Sequence, residues 1–230
     1  MNRLISYQLN NGIATLQINN GKVNALSPEV LDEFNQCLDQ AEQDKAVVII
    51  TGQPGIFSAG YDLKVMSSSA ENAIKLVEKG STLTRRMLAY PYPVIIACSG
   101  HAIAKGAFLL LAADYRIAVG GPFHIALNEV EIGMCMHQAG IVLAQERLTA
   151  SAFQRAVNLA ERFAPKAALE AGFIDLVVEP DSLMETAYGL AEQMKKLNMR
   201  AHKLTKLKMR QRFLERLDAA IEEDRFYAGH

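Results

Sequence analysis

No segment of this chain reaches ~18 consecutive apolar residues, so it offers no candidate transmembrane helix. Charge of one sign is also missing. Lys+Arg 24 against Asp+Glu 25 leaves a net charge of −1, which excludes a general attraction to nucleic acid or to an anionic membrane. Cysteine is sparse: Cys37, Cys98 and Cys135 are odd in number and widely spaced. They fit free thiols in a reducing cytosol, the expected location, better than a disulfide frame. None pairs with histidines at metal-ligand spacing, so no zinc is expected. The stretch Met1–Ile18 lacks a signal peptide's apolar block and is expected to belong to the fold. No linker rich in Gly, Ser or Pro divides the chain, and half of its 230 residues are apolar, enough for one domain with a sizeable core.

The residues present punctuate clearly. Leu4–Leu9 and Ile13–Ile18 flank Asn10-Asn11-Gly12 and predict a hairpin. Ser27-Pro28-Glu29 predicts a helix start, with serine as cap and proline in the first turn, and Leu31, Phe34, Leu38 and Ala41 follow on one face. Val47–Thr51 and Pro93–Cys98 read as strands buried on both sides. A polar helix is expected over Ala70–Ala89, and an all-round apolar, buried helix over Ala102–Ala113. Tyr115–Ala118 and Phe123–Ala126 read as short strands. From His137 onward helices dominate, with one strand at Ile174–Val178 and packing positions at Leu204, Leu207, Leu214 and Leu217. Helix, strand, loop and helix recur from Ser27 to Ala113, which suggests stacked turns with glycine loops at equivalent ends.

Several residues could carry chemistry, each beside a plainer role. The loops at Gly60 and Gly106 end strands where free backbone N–H groups could share one oxygen, or they simply permit tight turns and close packing. Glu129 lies in the apolar stretch Ile125–Gly133, where a desolvated carboxylate suits proton abstraction near neutrality; a cap or salt bridge is the alternative. Glu131, two residues on, would point the other way in a strand. Ser99 and His101 do not make a hydrolase pair, because no Gly-x-Ser-x-Gly elbow holds them. His124 and His137 read as ordinary half-buried histidines. Lys203, Lys206, Lys208 and Arg210 form either a phosphate-binding or a solvated basic face. Met134, Cys135 and Met136 line a pocket or fill core.

Five segments taken in order resemble the enoyl-CoA hydratase/isomerase (crotonase) family. They are Lys22-Val23-Asn24-Ala25-Leu26, Phe57–Leu63, Pro93–Arg116 with Gly100–Gly106, Asn128-Glu129 with Ile132-Gly133, and Ala168–Gly172 before Asp175–Val178. The resemblance covers about Ile13 to Val178. It implies an α/β spiral of repeated ββα turns over residues 1–178, with the first C-terminal helices from about 137. Residues 179–230 would form a C-terminal helical region that assembles trimers, or hexamers made from two trimers.

The resemblance also implies a site. The oxyanion hole falls to the backbone N–H groups of Tyr61 and Lys105. Many members have glycine at the latter position, so here a lysine side chain must also be housed. Coenzyme A, present only as part of the thioester substrate, would run along Lys22, Val23, Ala25, Leu26, Ala59, Asp62 and Leu63. Gly106 would belong to the same CoA/substrate site, and Tyr61, Phe108, Met134 and Met136 would line the acyl pocket. No metal or redox cofactor is implied. Hydratases of the family carry two glutamates; here the first position is Phe108 and only Glu129 matches. Moving a double bond needs one base, and the Leu127-Asn128-Glu129 context looks like that of Δ3,Δ2-enoyl-CoA isomerases. The implied reaction is therefore isomerisation of an enoyl-CoA. Hydration, thioester hydrolysis and catalytically silent acyl-CoA binding are the alternatives.

Overall fold

The computed structural model describes residues 3–226; residues 1–2 of the expected core and 227–230 of the expected helical region lie outside the described residues. Strands β1 (Ile5–Asn10) and β2 (Ile13–Ile18) form the expected antiparallel hairpin. Asn11 and Gly12 turn it with φ of 48° and 73°, the left-handed pair that a two-residue hairpin needs. Helix α1 (Pro28–Gln43) starts where Ser27 accepts a hydrogen bond from Val30 N, and it buries Leu31, Phe34, Leu38 and Ala41.

Three ββα turns follow. Each sends its first strand to a large sheet and its second to a small one. The first contains β3 (Val47–Thr51), β4 (Gly55–Ser58), the short helix α2 (Leu63–Met66) and α3 (Ala70–Ala89). The second contains β5 (Val94–Cys98), β6 (Gly100–Ile103) and α4 (Lys105–Ala112). The third contains β7 (Tyr115–Val119), β8 (Ile125–Ala126) and a 3₁₀ turn at Val130–Ile132. After α5 (Gln138–Arg147), α6 (Ala150–Leu159) and α7 (Pro165–Ala171), strand β9 (Leu176–Val178) returns to the large sheet. Its order is β1-β2-β3-β5-β7-β9, while β4-β6-β8 form the small parallel sheet. This is the crotonase spiral.

Several boundaries differ from the sequence reading: β8 and β9 are shorter than the expected Phe123–Ala126 and Ile174–Val178. The buried helix does not begin at Ala102, because Gly100–Ile103 pair with β4 and β8 as a strand. Apart from Lys105 the run Ala102–Ala113 is apolar and carries no period, so it hides the change from strand to helix at Ala104. Strand β4 is not among the strands read from the sequence.

Alternate residues of the large sheet enter two cores. Val48, Ile50, Val94 and Ile96 face the main core, and Val47, Ile49, Ile95 and Ala97 face α8 (Leu183–Met194). Both faces are covered, which explains the continuous apolar strands. Helix α9 (Met199–Asp224) packs on α3 and α5. Leu214 and Leu217 are buried there as expected and Leu207 is half-buried, but Leu204 is 58% exposed. Lys206 and Arg210 are not on a solvated or phosphate-binding face: both are buried and pair with Asp114 at 2.6 and 3.0 Å. No helix among the described residues is long and apolar enough to cross a membrane.

Candidate active site

The segment Lys22–Leu26 is laced to the loop after β4. Ala59 N donates to Val23 O, Leu26 N to Gly60 O, and Asp62 N to Leu26 O. Gly60 N donates to Ser58 Oγ, which itself donates to Asn24 O at 2.8 Å. In this run of engaged amides, Tyr61 N has no acceptor among the described residues. The same holds for Lys105 N at the start of α4, although its neighbour Ala104 N donates to Ala126 O. The two loops touch. Gly60 has φ +93°, and a Cβ placed there would lie 2.9 Å from Ala104 Cβ and 3.2 Å from Lys105 N. Only glycine permits both that backbone and that approach.

The Lys105 side chain leaves this junction and runs into the core, 1% exposed. Its ammonium donates to Gly80 O at 2.7 Å and also meets Thr84 Oγ1. Burial pulls its pKa down to about 7, against the opposing pull of Glu129.

Glu129 immediately precedes the 3₁₀ turn, with helical φ and ψ, rather than lying in a strand. The turn achieves the separation that alternation was expected to give: Glu129 is 7% exposed, while Glu131 is exposed and pairs with Arg162 at 2.9 Å. Glu129 Oε2 is buried without a hydrogen-bond partner among the described residues. Desolvation pushes the carboxyl up to about 7, opposed by a backbone hydrogen bond and by Lys105.

A cavity of about 310 Å³ opens onto this carboxylate. Tyr61, Met134, Cys135, Met136 and His137 form part of its lining, and Ala70, Ala73, Ile74 and Val77 of α3 form another wall. That α3 face missed notice because the helix reads as polar overall; its spacing of three and four residues was the available signal. Glu223 and Asp224 complete the lining from α9. Asp224 accepts from Gln138 N and Ala139 N at 2.7 and 2.9 Å and so caps α5. His137, with its ring edge-on to Phe108 at 5.3 Å, is held neutral by burial and by the nearby Lys105.

The other expected contacts fall in different places. Lys22 and Val23 are exposed, Ala25 and Ala59 are half-buried, and Leu63 is 66% exposed at the surface of α2. The Leu26 side chain belongs to the core, so only its backbone faces the loop. Asp62 caps α2 through Lys64 N. Gly106 lies so close to Ser58 that a Cβ would come within 2.4 Å of its carbonyl oxygen. Phe108 is 1% exposed and sits behind His137, outside that cavity's lining. Ser99 donates to Gln53 O, and His101 Nδ1 accepts from His124 N; the two do not meet as a pair. No group of three or more His, Cys, Asp or Glu side chains among the described residues gathers at metal-binding geometry.

Comparison with known proteins gives a consistent picture. The enoyl-CoA hydratase/isomerase family model matches residues 8–228. A solved enoyl-CoA hydratase/isomerase family protein from Pseudomonas syringae is 63% identical, covers 98% of both chains and superposes with a TM-score of 0.97. A probable enoyl-CoA hydratase of Bacillus subtilis is 32% identical over 192 residues, covering 81% of this chain and 74% of that one. Human mitochondrial enoyl-CoA delta isomerase 1 is 30% identical over 218 residues, covering 93% and 72%.

Proposed function

Because this chain belongs to the enoyl-CoA hydratase/isomerase family, whose members act on enoyl-CoA thioesters, we propose that it interconverts 3-enoyl-CoA and 2-enoyl-CoA with Glu129 as its single base. The thioester oxygen accepts from Tyr61 N–H and Lys105 N–H. Glu129 takes the proton from the carbon beside the carbonyl, and the electron pair moves into an enolate shared by the two amides. The protonated Glu129 then returns the proton two carbons further along. The double bond has moved and the atoms balance. Each amide donor is worth about 3–4 kcal/mol at the transition state. Coenzyme A would lie over Lys22–Ala25 and the Ala59–Leu63 loop.

One observation carries the reading. Of the three carboxylates lining the cavity, Asp224 is occupied in capping α5 and Glu223 is exposed. Among the described residues, Glu129 alone of the three offers a buried oxygen without a partner. A carboxyl held near 7 can both accept and return a proton at neutral pH. Hydration, the activity in the name of the Bacillus relative, calls for a second group to hold water, and the position expected for that glutamate is the buried Phe108.

The test is to supply 3-enoyl-CoA and crotonyl-CoA separately. Isomerisation of the first should greatly exceed hydration of the second. E129Q should lose turnover by at least ~10³-fold and keep its acyl-CoA affinity. Turnover retained in E129Q removes Glu129 from the chemistry, and faster hydration than isomerisation overturns the assignment.

A further inference from the structure

The residues whose amides are proposed to form the oxyanion hole come from separate loops, yet their side chains meet on one turn of α3. Tyr61 Oη donates to Val77 O at 3.3 Å, and Lys105 Nζ donates to Gly80 O at 2.7 Å. The ammonium lies 5.9 Å from the centroid of the Tyr61 ring. Gly80 makes the room, since a Cβ there would fall 2.1 Å from Tyr61 Oη. Packing alone does not explain the charge. A neutral chain of similar length would fill the same channel, whereas an ammonium buried among neutral oxygens costs free energy.

We propose that Lys105 is a positioning residue, whose buried ammonium locks both amide-bearing loops onto α3 and, while protonated, supplies a positive charge behind the place where the enolate forms. The proposal rests on the one-base reading above. Cation–π contact with Tyr61 and hydrogen bonds to Gly80 O and Thr84 Oγ1 hold the ammonium in place. A donor pair anchored in this way needs no reorganisation as negative charge develops.

The surrounding titratable groups define the expected pH response. Tyr61 is kept a neutral phenol by burial. His137 is kept neutral by burial and by Lys105. Asp224 is raised by burial but caps α5, and Glu223 stands exposed at the cavity wall. Glu129 and Lys105 remain as the pair whose charges change near neutrality, each favouring the other's ionised form. Activity needs Glu129 ionised and Lys105 protonated, so kcat/KM should be bell-shaped with pH.

The experiment uses K105M, which keeps the amide and most of the volume but removes the charge. Isomerisation of a 3-enoyl-CoA is followed across pH, together with the 13C shift of the thioester carbonyl in a bound saturated acyl-CoA. K105M should raise the acid limb by at least ~0.5 unit and abolish the basic limb. It should lower kcat at least ~10-fold with KM within about threefold, and move the carbonyl resonance toward its free value. Unchanged limbs, kcat and carbonyl shift overturn the proposal. Should K105M fail to fold, T84A removes one ammonium partner and should lower kcat and raise the acid limb in the same sense, by less; no change in either overturns it. Full turnover in E129Q would sink the one-base reading itself, whereas an inactive E129Q with an indifferent K105M sinks only the role given to Lys105.

Discussion

Gly60→Ala tests the contact between the two loops with a single methyl. The residue would have to hold φ +93°, and its Cβ would meet Ala104 Cβ at 2.9 Å and Ile103 O at 3.0 Å. Positive-φ strain in an L-residue amounts to about 1–3 kcal/mol, and overpacking to a further 1–3 kcal/mol. Total destabilisation of ~2–6 kcal/mol corresponds to a fall in Tm of roughly 4–24 °C for a domain of this size. The backbone can relieve the contact only by moving Gly60 away from the Ala104–Lys105 peptide. Such a shift displaces one proposed donor relative to the other, and losing one donor lowers kcat by roughly 10²–10³-fold. Thermal unfolding gives the first quantity. Steady-state isomerisation, measured well below the variant's Tm, gives the second, with KM changing little. Gly189→Ala is the control: Gly189 lies in α8 with nothing among the described residues within 4 Å of an added Cβ, so Tm should rise and kcat should hold. A Gly60→Ala enzyme that is less stable yet turns over at the native rate refutes placing the oxyanion between Tyr61 and Lys105.

Two further outcomes follow from buried charge. Asp114→Ala strands Lys206 and Arg210, 4% and 7% exposed, and deprives Val94 N of its acceptor, so unfolding free energy should fall by about 3–5 kcal/mol in urea titration. A loss below ~1 kcal/mol would show that the cluster is not desolvated. Glu129 titrates near 4.5 when unfolded and about 7 when folded, so the folded state holds more protons between those values. Native stability is therefore lost as pH rises through that window, and the deficit is complete above 7. E129Q should be more stable than the native chain at pH 8, by at most about 3 kcal/mol, with the advantage vanishing near pH 4. Equal gains at both pH values would deny that the carboxyl is strained by burial.

Local chemistry made much of the frame readable. Ser27 and Pro28 mark the start of α1, Asn11-Gly12 marks the hairpin, and the unbroken apolar runs at Val47 and Val94 mark central strands. Those signals act over a few residues. Strand β6 escaped because Ala102 and Ile103 lead straight into the largely apolar α4, and only pairing with distant strands defines it. Lys206 looked solvated because its partner Asp114 lies 92 positions earlier in the chain. The order of motifs pointed to Glu129, but its desolvation depends on tertiary packing around the cavity. Phe108 was read as a surface for the acyl group, and the fold instead places it behind His137. The destination of the Lys105 side chain was equally unreadable, since it depends on Gly80 and Thr84 of another turn of the spiral.

The cap that Asp224 places on α5 has a consequence for synthesis. Gln138, whose amide it holds, is made 86 residues earlier. Both sheets and Glu129 precede α9 in the chain and are synthesised before it. The start of α5 is then untethered and one wall of the cavity is absent. Competence for thioesters should therefore wait until the last turn of α9 docks on α5.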